Sequence, residues 1–335
     1  MLSQLQSYKL NLRRKRRYQK VKRLSLVVAL CAILTACSKP EANTSSTTAN
    51  TNAENSNVAN TTGNTAAATP SPTIDPNLQA TFPFKDFPAV ETIAKAGEVV
   101  LVPSYLWLQQ ANVNGTDKTT MIWYHQTMSA PDKEMSEVKF MSETRKVPNA
   151  YIVPIPAGAT AKKGDILLTW WQSGSGMNRA IVVDDATPTE PVVHYLDIAY
   201  DNPAKSKDGT TGIGQMEEKL KPNSFVKINN MMEPGTTVAV QDGADMKKAQ
   251  VIRVAGDKVF TSSASGRIAV YDKSRCTPLP IKSAAKAGET VKAVWASMFI
   301  REGTVTKVDP KIGRVFIKFG TDKEDKAVAF GDVMK

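Results

Sequence analysis

Hydrophobic residues in this 335-residue chain gather in short runs of β-branched and aromatic side chains, broken by Gly, Asp and Pro. Near the C-terminus Val315, Ile317 and Phe319 alternate with Phe316 and Lys318. That two-residue period describes a strand with one buried face. The pentapeptide Ala-Lys-Ala-Gly-Glu occurs twice, at residues 94–98 and 285–289. Aligning Gly97, Gly164, Gly235 and Gly288 brings four segments into register: AKAGEVVLVPS, AKKGDILLTWW, MEPGTTVAVQD and AKAGETVKAVW. Each has a glycine, a polar residue and then a β-prone run, so the glycine is expected at positive φ in a turn that enters a strand.

The downstream pattern recurs too. Second strands are predicted at 179–183, 249–254 and 303–308, third strands at 192–196, 258–261 and 314–319, and last strands at 225–228, 279–282 and 327–333. Gly/Asp/Pro turns between alternating runs are hairpin signals. The first segment is the poorest match, with strands expected at 99–102, 120–125, 137–141 and 151–155. The only helix suggested is one turn at residues 216–221, MEEKLK. The glycines lie 67, 71 and 53 residues apart, a size at which one isolated core is marginal, so neighbouring units are expected to pack in pairs.

In the last unit the chain reads Gly-Glu-x-Val-x-Ala-Val-Trp, then Gly-x-Val-x-x-Val-Asp, then Val-x-Ile-x-Phe. This pattern resembles Tudor or Agenet-like small barrels, of the Src-homology-3 type. It covers residues 285–335 well, the second and third units in part and the first weakly. The resemblance implies an all-β chain of four tandem small β-barrels, at residues 83–157, 158–230, 231–283 and 284–335.

The N-terminal region has other chemistry. Residues 9–23 carry nine Lys/Arg and no acid, and residues 24–36 are apolar. That run is too short for a spanning helix, which needs about 20 apolar residues, and the layout is that of a signal peptide over residues 1–36. Leu34-Thr35-Ala36-Cys37 resembles a bacterial lipobox. The resemblance implies cleavage before Cys37, a diacylglycerol on its thiol and an acyl chain on its amine, with membrane lipid as the partner. Ser38, where the enteric sorting scheme reads an Asp as inner-membrane retention, implies the outer membrane of a Gram-negative cell envelope. Residues 37–82 then form an Asn/Thr/Ala-rich tether whose composition cannot bury enough surface to offset chain entropy, so disorder is expected.

Charge changes meaning once the leader is removed. Nine of the 43 basic residues lie in it, leaving 34 against 32 acids. A mature charge of +2 excludes the basic face that nucleic-acid binding requires. Of three cysteines only Cys276 remains outside the leader and the lipidation site, so no internal disulfide is expected.

Catalytic and metal signals are weak. His125 and His194 fall in different units, and no spacing of His, Cys or acids matches a zinc or calcium site. Cys276, in SRCTPLP, lacks a recognisable thiol-enzyme context. The expectation is a non-enzymatic binding or scaffold protein without a catalytic residue, a metal or a cofactor other than the lipid. Peptidoglycan binding is the alternative, and a hydrolase using Cys276 the lesser one. Trp171 and Trp295 each lie seven residues after their unit's glycine. By the resemblance, Trp171 with Tyr195, and Trp295 with Phe299 and Phe316, are candidates for an aromatic ligand groove holding a protein or peptidoglycan partner. Phe319 shares its face with Val315 and Ile317 and is assigned to the core.

Overall fold

The glycine turns, placed by sequence alone, organise the whole fold. A computed structural model describes residues 87–115, 119–200, 215–296 and 298–335. The expected leader, Cys37 and the 37–82 tether lie outside the described residues. Among the described residues, twenty strands fall into four groups of five. Unit 1 holds β1 (Val99–Pro103), β2 (Trp123–Ala130), β3 (Met135–Phe140), β4 (Glu143–Pro148) and β5 (Val153–Ile155). Unit 2 holds β6 (Ile166–Trp170), β7 (Met177–Asp184), β8 (Val192–Tyr195), β9 (Glu217–Lys219) and β10 (Val226–Lys227). Unit 3 holds β11 (Thr237–Asp242), β12 (Asp245–Ala255), β13 (Lys258–Ser262), β14 (Ile268–Asp272) and β15 (Cys276–Pro278). Unit 4 holds β16 (Thr290–Ala296), β17 (Phe299–Asp309), β18 (Arg314–Lys318), β19 (Lys326–Ala329) and β20 (Val333–Met334).

In every unit the first four strands form an antiparallel meander, and the fifth returns to pair with the first. The fourth and fifth strands never meet, so no sheet closes into a barrel. This corrects the expectation of closed barrels. The fifth strands have only two or three residues, enough to cover one edge of the first strand and no more. Units 3 and 4 join into one continuous sheet through Lys247 of β12 opposite Phe299 of β17.

The four turns are superimposable in their bonding. Gly97, Gly164, Gly235 and Gly288 have φ of 85°, 83°, 88° and 88°. Their N–H groups donate to the carbonyls of Met128, Val182, Val251 and Val305, each at 2.8 Å. Each of those residues donates back to the residue after the glycine, at 2.8–3.0 Å. Directly beyond, the second strand slips register against the third, between Met128 and Ala130, Val182 and Asp184, Val251 and Arg253, and Val305 and Lys307. An extra residue there bends a long strand.

Three local expectations are corrected. Residues 217–219 form β9, not a helical turn. The last strand of unit 3 is Cys276–Pro278 rather than 279–282. A ten-residue helix, α1 (Tyr105–Asn114), fills the long β1–β2 connection. Ser104 caps it by accepting the Trp107 N–H at 3.4 Å, and Leu108 and Ala111 carry it into the core.

One apolar core runs through all four units, including Leu101 and Tyr151, Ile166 and Leu168, Ile252 and Phe260, and Val315 and Ile317. Phe260 of unit 3 meets Tyr151 of unit 1 edge-on at 5.3 Å and Trp123 at 6.3 Å. Arg253 donates to the Asn149 and Ile152 carbonyls of unit 1. Units 2 and 4 are joined by Arg314, which donates to the Tyr195 and Ile198 carbonyls at 2.7 and 3.3 Å.

Candidate functional site

A cleft of about 810 Å³ opens where the four units meet, within the size range of small-ligand sites. Unit 1 contributes residues 120–123, unit 2 residues 175–178 and 196–200, unit 3 Lys248, Gln250 and residues 262–266, and unit 4 Val294, Arg314, residues 325–329 and Asp332. The β13–β14 hairpin reaches unit 1 at one wall. Met121 N–H donates to the Gly266 carbonyl at 2.8 Å, and a Cβ on Gly266 would lie 2.6 Å from the Met121 oxygen. Only glycine permits that approach.

Charged side chains from three units converge at the floor, where Asp197, Lys248 and Asp332 line the cleft and Arg179 pairs with the two aspartates from beneath. Arg179 of β7 donates from Nη2 to Asp197 Oδ1 at 2.6 Å and to Asp332 Oδ1 at 2.9 Å. Its Nη1 donates to the Phe330 carbonyl at 3.2 Å. Lys248 of β12 donates to Asp332 Oδ2 at 2.7 Å and lies 3.7 Å from Asp197. Thr237 Oγ1 donates to Asp332 Oδ1 at 2.9 Å. Burial opposes ionisation of both carboxyls, but Arg179 and Lys248 outweigh it and hold Asp197 and Asp332 below the usual carboxylate range. Burial likewise opposes the Arg179 charge, and the two aspartates restore and raise it.

Arg314 differs. It is 3% exposed, and its two side-chain hydrogen bonds to described residues both go from Nη2 to main-chain carbonyls. The Tyr200 ring lies 5.3 Å from its guanidinium carbon. It forms no ion pair with a described residue, and its Nε is buried without a partner. Burial, only partly offset by Asp197 and Asp332, lowers its pKa to about 10.

The sequence-chosen aromatics divide. Trp171 and Tyr195 are buried and meet edge-on at 6.5 Å within the core of unit 2. Trp171 Nε1 donates to the Gln215 carbonyl at 2.8 Å, and Tyr195 Oη donates to Glu218 at 2.7 Å. They line no open groove, because β6 is buried along its whole length and both Trp170 and Trp171 are covered. Trp295 is 37% exposed and donates to Asp322 at 2.9 Å. Phe299 is half-buried, with Lys247 at 5.6 Å and Arg301 at 5.4 Å from its ring. Phe316 meets Tyr200 edge-on at 6.1 Å beside the cleft. Phe319 is in the core. No ring contact joins the unit 2 pair to the unit 4 residues among the described residues. Cys37 lies outside the described residues.

Cys276 packs among Val238, Val240 and Val259, and burial raises its thiol pKa. A protonated, covered thiol is a poor nucleophile. His125 stacks on Trp170 at 4.5 Å, and His194 Nδ1 faces Glu217 at 3.3 Å. Both imidazoles are depressed by burial. Among the described residues no group of three His, Cys, Asp or Glu is placed to hold a metal. No helix among them is long and apolar enough to cross a membrane.

The residues that build the cleft floor were not singled out by sequence. Arg179 and Asp332 are 153 positions apart, and no local pattern links them. No protein-family model and no curated protein matches this chain.

Proposed function

We propose that this protein is a lipid-anchored, non-enzymatic binding module of the bacterial cell envelope that holds a protein or peptide segment in the cleft between its four units. The observation that carries the reading is the cleft itself, because every unit supplies part of its wall. On this reading the units are diverged copies of one Tudor-like repeat, each left open so that its neighbours complete it. The lipidated Cys37 and the tether following it attach the module to the outer membrane.

A second reading, peptidoglycan as the ligand, is favoured by the strand order. The fifth strand pairs with the first in each unit, as expected of the Src-homology-3 type, whose bacterial members hold stem peptides.

Co-sedimentation of the full chain with purified peptidoglycan separates the two. Sedimentation that is lost in Ser265→Trp, which fills the cleft from its wall, assigns the wall polymer. An unbound wild type, with a partner cross-linked through cleft residues, assigns a protein ligand. Cross-links confined to surfaces away from the cleft overturn both. Fatty-acid labelling of the wild type but not of Cys37→Ala tests the anchor.

A further inference from the structure

We infer that the cleft receives a ligand carboxylate, seated on the free Nη1 edge of Arg314. This rests on the cleft being the binding site. The argument begins with the charge balance of the floor. Arg179 and Lys248 are matched by Asp197 and Asp332, which they contact directly. At the rim Lys326 is matched in number by Asp325, whose Oδ2 accepts from Thr306 at 2.6 Å. Counted with Arg179, which lies beneath the lining and pairs with both floor aspartates, Arg314 is the described cation in excess.

A buried guanidinium without a carboxylate is costly, because burial removes the water that stabilised its charge. Two main-chain carbonyls satisfy Nη2, and Tyr200 shields one face. Nη1 has no described hydrogen-bond partner, and it is not among the buried atoms lacking one. It is therefore open to the cleft that Arg314 lines. A donor so placed is completed by an anionic oxygen arriving with the ligand.

The class of anion follows from the surroundings. Asp197 and Asp332 stand close enough to raise the Arg314 pKa. A dianion such as phosphate would bring two charges toward one uncompensated cation and two carboxylates. A monoanionic carboxylate matches the single surplus charge. The rest of the wall suits a short peptide. Gln250, Ser263 and Ser265 offer polar contacts, while Ile122, Met177 and Tyr200 offer partly buried apolar surface.

The test is calorimetric titration of the full chain with N-acetyl-alanyl-alanine and with its C-terminal amide. The free acid is expected to bind about ten- to a hundred-fold more tightly, the range for a hydrogen bond to a charged group. Arg314→Gln should remove that preference while the amide's affinity stays, and Ser265→Trp should abolish binding of both. Arg314→Lys, which keeps the charge, guards against a Gln variant that fails to fold, and should retain part of the preference. Equal binding of acid and amide, lost in Ser265→Trp, overturns the carboxylate assignment and leaves the cleft as the site. Displacement of the acid by phosphate at comparable concentration overturns the monoanion class. No binding of either peptide, or binding that survives Ser265→Trp, overturns the assignment together with the cleft reading.

Discussion

Replacing Arg179 by Met tests whether the charged floor holds the units together. Met keeps much of the packed stem and removes the charge. The substitution deletes five side-chain hydrogen bonds: three to Asp197, one to Asp332 and one to the Phe330 carbonyl. Adding each at about 1.5–3 kcal/mol would overcount, because three of the five bonds share the Asp197 carboxylate. Removing one partner of a buried ion pair costs about 3–5 kcal/mol. The lower half of that range applies, since Lys248 and Thr237 still reach Asp332 and the Arg179 N–H still reaches Asp197. Urea denaturation should show the midpoint falling at an unchanged slope. Lys219→Met is the control. It removes an exposed pair with Glu190 and should cost about 1 kcal/mol or less. A loss in Arg179→Met no greater than in the control would refute the floor as an inter-unit clamp.

Four other outcomes follow from the geometry. Gly288→Ala meets open space and suffers only the positive φ, about 1–2 kcal/mol; Gly235→Ala should cost about 1–3 kcal/mol more, because its Cβ would lie 2.5 Å from Leu168 Cδ1, and equal urea midpoints would contradict the packing. Asp197 and Asp332 are depressed in the fold, so the unfolded chain takes up protons first as pH falls; their contribution is present above about pH 4 and lost below it in an acid titration followed by circular dichroism. Between pH 7 and 5 stability should already decline, since His125 and His194 are depressed below 6.5, and His194→Gln should flatten part of that slope. Cys276 should resist a thiol reagent in the native protein and react fully in urea, whereas rapid native labelling would contradict its burial.

What the sequence makes legible here is local. The glycine turns and first strands could be read because positive φ and a following β-prone run are properties of neighbouring residues. The short strands were legible only in part. β10 falls inside the run expected at 225–228, whereas β20 has two residues, too few to display a period, and β9 is the polar triplet Glu-Glu-Lys. Helix α1 was hidden because only Leu108 and Ala111 among its described side chains are fully buried, a weak stripe beside Trp107 and Tyr105. The position of Trp171 after its glycine was plain, but its direction was not. Alternation identifies an outward face only when one side of a strand is exposed, and β6 has none. Leu167 serves the core of unit 2 and Leu168 the shared core. The cleft depends on Arg179, Lys248 and Asp332 meeting from three separate units, and sequence spacing carries no trace of that.

The contact of Phe87 with Phe260 bears on how the chain comes to be folded at all. Phe87, the first described residue, is buried, and its ring centroid lies 5.8 Å from that of Phe260. Unit 1 also leans on Phe260 through Tyr151 and Trp123. The N-terminal segment therefore cannot complete its packing until residues far downstream have emerged. Long-range closures of this kind slow folding, because chain entropy is lost before contacts compensate for it. In a chain made or exported N-terminus first, unit 1 must wait with apolar surface exposed while units 2 and 3 arrive. That interval, rather than the stability of the finished molecule, is where a holding chaperone would act on this protein.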